Sequence, residues 1–488
     1  MEFKFYLWPM EKMIPTLIGR QKECGILNEC LTSNKSEFVI VCGRRRIGKT
    51  FLVDQFFNSS YDFSYVGKHK TNSRTQLRYF AKAIQKYSGK KQSPYADWYE
   101  AFDALEEYLE TLSTDRKKVI FIDEMPWIDS QRSTFVSALE NFWNAWANRR
   151  YDIVLVASGS ATSWMADKLI ENHGGLHNRI TRRLYLEPFT LSETEQYFKS
   201  FDSPLTRYDI LQSYMFTGGI PFYLSLMDLQ KSVAQNVDML FFEKNAPLRT
   251  EYDELYSALF THVDSYVKIV ELLYHNKYGL TRKEISTATN LNGKFLTTLL
   301  NNLEQCDFID KYELFGKKNT IVYKLIDFYT LFYFKFIAGK HNKDTEWWSH
   351  NIDASGVRAW MGLTFELICM RHHKQIKKAL GISGIGTSVY TWKCAPDPEN
   401  GQQGAQIDML IERSDRVIHL CEMKYCEQEY SISKDYEMRL RTRMGIFKER
   451  TKTKEAVVHT FVTTFGIGKG KHSSIVHSEV TMDDLFNC

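Results

Sequence analysis

An α/β fold built on an open parallel sheet is predicted by three stretches of this 488-residue chain. The first is an apolar run, Phe38-Val39-Ile40-Val41-Cys42. It leads into the glycine-bounded loop Gly43-Arg44-Arg45-Arg46-Ile47-Gly48-Lys49-Thr50 and then a helical pattern from Phe51 to Phe57. The second is Val119-Ile120-Phe121-Ile122, closing on Asp123 and Glu124, and the third is Ile153-Val154-Leu155-Val156-Ala157, closing on Ser158-Gly159-Ser160. Short apolar runs bounded in this way read as strands buried on both faces. Strands of this kind alternating with helices imply a parallel sheet with its ligand at the strands' carboxyl ends.

The loop matches G-x-x-x-x-G-K-[ST] in the strand–loop–helix context that the pattern requires. Its glycines let successive backbone N–H groups turn into one concavity, and the helix dipole adds positive potential there. Gly43, Arg44, Arg45, Arg46, Ile47, Gly48, Lys49, Thr50 and Phe51 are therefore the expected nucleotide-binding residues. Lys49 should reach the β- and γ-phosphates, and the Thr50 hydroxyl should ligate Mg²⁺. Asp123 would hold the same ion directly or through water, and Glu124 would orient the attacking water as general base. Ser160, at the end of the third strand, falls beside the γ-phosphate. ATP and Mg²⁺ are the expected nucleotide and metal.

Length favours about three domains. Composition is that of an ordinary globular chain, 43% hydrophobic and 25% charged, and the net charge of +4 says little about partners. No run approaches the roughly 18 apolar residues of a membrane span, and the N-terminus lacks a signal layout, so a cytoplasmic protein without membrane contact is expected. The nine cysteines are scattered without a C-x-x-C pair, which argues against structural zinc. Cys421 and Cys426, the closest pair, read as packing residues.

Along the chain, residues 14–30 form a turn and an amphipathic helix. This segment reads as a helix docked on the sheet. A further strand is expected at 62–67 and helices at 72–88, 95–112 and 131–149. After Gly174-Gly175-Leu176-His177-Asn178-Arg179 comes a basic strand to Phe189, then short helices over 191–245, read as a lid. The break Thr217-Gly218-Gly219-Ile220-Pro221 is a hinge or a helix stop. Over 265–312, Thr281 is a candidate N-cap with Glu284 three residues on. A turn at 290–293, a second helix and a hairpin with Gly316-Lys317-Lys318 at its tip complete a pattern resembling a winged helix-turn-helix. Only Lys294 stands as a cation at the start of its second helix, so DNA contact and protein packing stay open. The aromatic run 323–337 reads as core, and 338–344 as a linker.

The C-terminal region has its own charged set. Glu366 lies on a helical pattern, and strands at 404–412 and 417–424 form a hairpin. Asp408 and Glu422 sit near its ends, with Lys424 on the same face as Glu422. Two acids and a lysine suit metal-assisted phosphodiester hydrolysis: Asp408 and Glu422 hold Mg²⁺ while Lys424 positions or deprotonates water. A hairpin with one ion pair is the alternative. Lys434 to Lys454 is a helix with a basic face, either solvated or tracking phosphates.

Taken together, Ile18-Gly19-Arg20, GRRRIGKT at 43–50, IDE at 122–124, SGSATSWM at 158–165, GGLHNRIT at 174–181 and GGIPFYL at 218–224 resemble the archaeal-type P-loop ATPases. That group is related to the signal-transduction and origin-recognition ATPases. The resemblance implies an ASCE-type α/β core over 14–190, a helical lid over 191–250, a winged helix over 251–340, and a C-terminal unit over 345–488. It implies Glu124 as catalytic glutamate and Ser160 as sensor residue. For residues 14–30 it implies, instead of docking alone, an adenine-side contact by Ile18, Gly19 and Arg20. In a departure from the group's pattern, no arginine finger is assigned among Arg179, Arg182 and Arg183, with Arg179 the candidate, which leaves open whether hydrolysis needs a neighbouring subunit. Members of the group often end in a domain similar to the PD-(D/E)xK restriction-endonuclease superfamily. Its E…D…ExK arrangement is matched by Glu366, Asp408, Glu422 and Lys424. The expectation is thus an ATP-driven switch for a DNA-directed nuclease-like domain. An ATP-regulated adaptor or an oligomerising signalling ATPase are the rivals; DNA and a second copy are candidate partners.

Overall fold

The computed structural model describes residues 17–130, 133–160, 162–165, 168–169, 176, 178–260, 262–317, 319–340, 343–396 and 404–487. The N-terminal sheet contains β1 (Glu37–Gly43), β2 (Phe63–Val66), β3 (Lys118–Asp123), β4 (Ile153–Gly159) and β5 (Arg182–Leu186). Its order is β2-β3-β4-β1-β5, and every pairing is parallel. The strand ending in Ser158-Gly159 therefore lies between the phosphate-loop strand and the acidic strand. That insertion is what lines up Gly43, Asp123 and Gly159 along one carboxyl edge.

Alternation along β1 divides the core in two. Val39 and Val41 face the helices Gln21–Thr32 and Lys49–Phe56 through Leu27, Cys30, Leu52 and Val53. Phe38, Ile40 and Cys42 face Ser73–Ser88, Trp98–Glu110 and Phe135–Asn141. The helix expected over 131–149 is observed from Phe135 and widens into a π turn at Phe142–Trp146; residues 131 and 132 lie outside the described residues.

Helices Leu191–Lys199, Arg207–Thr217, Pro221–Ser225 and Val233–Val237 follow. The Gly218-Gly219 break is a helix stop held by close packing. Both glycines have positive φ, and a Cβ on Gly219 would come within 2.2 Å of the Phe189 carbonyl oxygen.

Next come helices Val263–His275, Arg282–Thr289 and Gly293–Gln305, with β6 (Leu280–Thr281), β7 (Ile309–Glu313) and β8 (Ile321–Leu325). These strands pair antiparallel in the order β6-β8-β7, with the element order read from the sequence. Thr281 forms the full reciprocal cap with Glu284. Phe328, Tyr329, Phe332 and Phe336 are buried, as a core run should be. Of the hairpin tip, Lys318 lies outside the described residues, as do His341 and Asn342 of the expected linker.

The C-terminal sheet is mixed: β9 (Thr387–Cys394), β10 (Ala405–Arg413), β11 (Val417–Lys424), β12 (Ala456–Thr463) and β13 (Ser478–Thr481), in the order β13-β12-β11-β10-β9. The first three form an antiparallel meander. Helix Lys434–Thr451 then crosses over to bring β12 parallel to β11. One face packs Ile407, Leu410, Ile418 and Leu420 against Phe447 of that helix. The other face joins Met409, Cys421 and Met423 to Phe365 and Ile368 of helix Ser355–Arg371, within a cluster that extends back to Val39 and Val41. One continuous apolar core therefore links the parallel sheet to the C-terminal sheet.

Candidate active site

The phosphate loop is shaped by two left-handed glycines. Gly43 has φ 144° and Gly48 has φ 88°, and a Cβ on Gly43 would sit 2.6 Å from the Leu186 carbonyl oxygen of β5. Any side chain at Gly43 would force β5 away from β1. Lys49 is buried, and its ammonium donates to the carbonyls of Gly43 at 3.1 Å and Arg44 at 3.0 Å. Burial pushes its pKa down, while Glu124 and Asp123 pull the other way. The Thr50 hydroxyl donates to Asp123 Oδ2 at 2.8 Å. Asp123 Oδ1 accepts from the Ser158 hydroxyl and from the Glu124 N–H. A hydroxyl and an oriented carboxylate at the head of the loop fit Mg²⁺, an oxygen-seeking ion that takes few protein ligands.

Glu124 follows at φ 48°, a left-handed conformation that turns its side chain across the edge toward β4. There the Ser160 hydroxyl donates to both carboxylate oxygens, at 3.1 and 2.8 Å, and the Ser160 N–H donates at 3.4 Å. The two residues expected to flank the γ-phosphate are thus in direct contact with one another.

The three loop arginines were expected on the nucleotide, but their side chains point elsewhere. Arg44, buried, pairs with buried Asp327 at 2.5 Å and lies 4.9 Å from the Phe308 ring centroid. Arg46 makes a two-pronged bond to Glu251 at 3.1 and 3.0 Å and covers Phe222. Arg45 donates to the Glu254 carbonyl at 3.2 Å. Carboxylates thus engage the Arg44 and Arg46 guanidinium groups, while Arg45 makes a single bond to a backbone carbonyl. Burial opposes the charge on Arg44, and Asp327 more than offsets it.

Arg20 is likewise committed, donating to the Glu187 carbonyl at 2.9 Å and lying over Phe189. The Glu187 that it binds follows Leu186, which pairs with Gly43, and Gly19 itself lies against the Glu193 side chain. Phe51 is exposed on the first turn of the loop helix. Arg179 needs correcting as a group for this chain's own pocket. The Thr181 N–H donates to Phe38 at the amino end of β1, and Arg182 and Arg183 pair with Val39 and Ile40. Phe38 and Gly43 are five strand residues apart, roughly 17 Å. The exposed Arg179 thus stands at the far end of the sheet from the loop. Of the neighbouring motif residues, Ala161, Gly174, Gly175 and His177 lie outside the described residues.

In the C-terminal sheet, Met409 pairs with Cys421, which brings the preceding Asp408 and the following Glu422 to the same end of the hairpin. Glu422 is almost fully buried. It pairs with Lys424 at 2.8 Å and Arg443 at 2.6 Å and accepts from the Tyr436 hydroxyl. Burial alone would raise its pKa, but Lys424 and Arg443 prevail and lower it. Asp408 accepts from the Gln406 amide at 2.7 Å beside a register shift in β10. Glu366 feels Asp408, Lys424 and Glu422; burial, then Asp408, pushes its pKa up to about 7. The predicted four are electrostatic neighbours. Yet among the described residues no three His, Cys, Asp or Glu groups converge for a metal. The expected Mg²⁺ ligation by Asp408 and Glu422 is a poor fit, because Glu422 is already saturated by two cations and a phenol. Eight cysteines of the described residues are free thiols, Cys421 and Cys426 among them.

The site contacts of Asp327, Glu251, Ser158 and Arg443 escaped the sequence reading, which had Ser158 at a strand end and Arg443 on the basic helix. Ser158, a polar residue within a fully buried strand, carried a signal; Asp327 and Glu251 are marked only by their distant partners.

Residues 17–227 match a family model described as an ATPase domain predominantly from Archaea. This part of the chain is similar to P-loop ATPase domains of that archaeal type. An uncharacterised protein of Methanocaldococcus jannaschii is 26% identical over 325 residues, 66% of this chain and 68% of that one. Among solved structures, a Walker-type ATPase of Pyrococcus abyssi is 18% identical, covering 64% of this chain and 95% of that chain at a TM-score of 0.45. The ORC2 protein of Aeropyrum pernix, in ADPNP–ADP complexes, is 14% identical, covering 74% and 96% at a TM-score of 0.41. Among the described residues no helix is long and apolar enough to cross a membrane.

Proposed function

We propose that the chain binds and hydrolyses ATP with Mg²⁺ at the edge formed by Lys49, Thr50, Asp123, Glu124 and Ser160, and that the nucleotide governs a nuclease-like, DNA-directed C-terminal unit. The observation that carries the reading is Glu124 held by Ser160 beside the Thr50–Asp123 pair. When bound, Mg²⁺ would supply charge neutralisation for the β- and γ-phosphates. Lys49, released from the Gly43 and Arg44 carbonyls, would pair with those phosphates. Glu124, turned from Ser160, would accept the proton of the attacking water, and Ser160 would then be free to donate to a phosphate oxygen. Ile18 and Gly19 would border the adenine. Single-turnover hydrolysis by wild type and Glu124→Gln tests this; equal rates would refute it.

For the C-terminal unit, the neighbourhood of Glu366, Asp408, Glu422 and Lys424 supports a nuclease-like fold. A second reading, an ATP-regulated adaptor that binds DNA without cutting, is favoured by the saturation of Glu422. Plasmid DNA incubated with Mg²⁺ and ATP separates them. Nicking that vanishes in Glu422→Ala and Lys424→Ala supports the first, whereas a gel shift with intact DNA supports the second. Arg179, remote from its own loop, would serve catalysis only on a second copy, and light scattering with and without ATP reads that association.

A further inference from the structure

The hairpin of β7 and β8 spans the distance between the phosphate loop and the acids of the C-terminal sheet. At one end, Arg44 of the loop lies over Phe308, the residue before β7, and pairs with Asp327, two residues beyond β8. Phe308 and that end of β8 are themselves tied, since the Ile326 N–H donates to the Phe308 carbonyl at 2.9 Å. Arg44 Nε and Nη2 are buried without a hydrogen-bond partner among the described residues, so this joint rests on one guanidinium nitrogen. At the other end, the Phe315 N–H donates to the Thr391 carbonyl of β9 at 2.9 Å, and the Phe315 ring packs on Tyr390 and Phe447. The Thr391 hydroxyl in turn donates to the Ile407 carbonyl at 3.1 Å, immediately before Asp408 and beside the register shift of β10.

A second route reaches the same acid. Lys324 of β8 pairs across the hairpin with Asp310, is buried, and lies 5.1 Å from the Tyr312 ring centroid. Its ammonium is within the field of Asp408 and Glu366, with Lys393 as the opposing cation. Only three residues, about 10 Å of extended chain, separate Lys324 from Asp327. A paired two-stranded ribbon fixed at both ends moves as a unit, because bending it breaks ladder bonds.

We propose that the β7–β8 hairpin is a strut that sets the position of Asp408 according to what the phosphate loop holds. Arg44–Asp327 is its joint at the ATPase, and Lys324 and Phe315–Thr391 are its joints at the C-terminal sheet. The inference rests on the ATP reading above and names the regulation of the second site. Lys324 acts as a positioning residue. Its charge bears on Asp408 and Glu366 in one hairpin position and is withdrawn from them in another.

Hydrogen exchange on the full chain tests it, in a Glu124→Gln background with Mg²⁺ and ATP. ATP uptake is measured separately by equilibrium binding. Uptake with an exchange change of about threefold or more at both 309–325 and 405–412 is expected. Asp327→Asn should keep uptake and lose both responses. The pair Lys324→Met with Thr391→Val should keep the response at 309–325 and lose it at 405–412; this variant decides the matter should Asp327→Asn fail to fold. A chain that takes up no ATP removes the ATP reading and the strut together. Uptake without a response at 405–412, or a response there that survives either variant, overturns the strut alone.

Discussion

Lys49, Glu124 and Arg44 are conspicuous side chains of one short stretch of sheet edge, and each responds differently to substitution. Lys49→Ala removes the only loop ammonium aimed into the concavity and should abolish ATP uptake in a filter-binding assay. Glu124→Gln keeps the shape of the side chain and one acceptor oxygen for Ser160 but cannot take a proton. Uptake should persist while hydrolysis falls by about 10²–10⁴ in a single-turnover measurement. Arg44 belongs to the stability of the molecule as much as to its site. Arg44→Met leaves Asp327 buried and unpaired and should lower unfolding stability by about 3–5 kcal/mol in urea. Asp327 also caps the helix Phe328–Phe332 by accepting from the Thr330 N–H at 3.0 Å, so its removal costs a cap as well as a pair.

Between elements, the end of helix Ser355–Arg371 meets the helices that follow β5 at His372. Its Nε2 accepts from the Leu191 N–H at 3.1 Å, at the start of helix Leu191–Lys199, and Nδ1 bonds to the Ile368 carbonyl at 2.8 Å. Acceptance at Nε2 requires the neutral ring. Burial pushes its pKa down to about 4, with Arg371 and His373 assisting and the Ile368 bond opposing. The ordinary value is about 6.5. Above that pH both folded and unfolded chains hold the ring neutral and the contact contributes in full. As pH falls from 6.5 toward 4 the unfolded chain is protonated first, so stability drops, by up to about 3 kcal/mol from this residue. Denaturant unfolding at pH 7 and pH 5 should show the loss, and His372→Gln should flatten the slope.

Over the whole molecule, the outward face of helix Lys434–Thr451 bears exposed Arg441 and Lys448, two turns apart, whereas Arg443 on the same helix is drawn in to Glu422. If the C-terminal unit engages DNA along this face, replacing Arg441 and Lys448 with Gln should reduce the slope of log affinity against log salt by roughly 2. Fluorescence anisotropy on a short duplex, titrated with salt, reads the slope directly. An unchanged slope would remove this helix from the interface.

The phosphate loop and the neighbouring Asp123 and Glu124 were legible from sequence as one sheet edge because each lies at the end of an apolar run. Backbone chemistry at such a strand end is local: two glycines, a lysine and a hydroxyl determine the cradle whatever surrounds it. The parallel core and the Thr281–Glu284 cap were legible for the same reason, since side-chain period and capping act over a few residues. Tertiary structure alone decided where the charged side chains go. Arg44, Arg46 and Glu422 find partners 283, 205 and 21 residues away. Arg179 is carried to the opposite end of the sheet by the register of β5. Charge pairing is settled by proximity in space and by the scarcity of water there, neither of which is written into residue spacing.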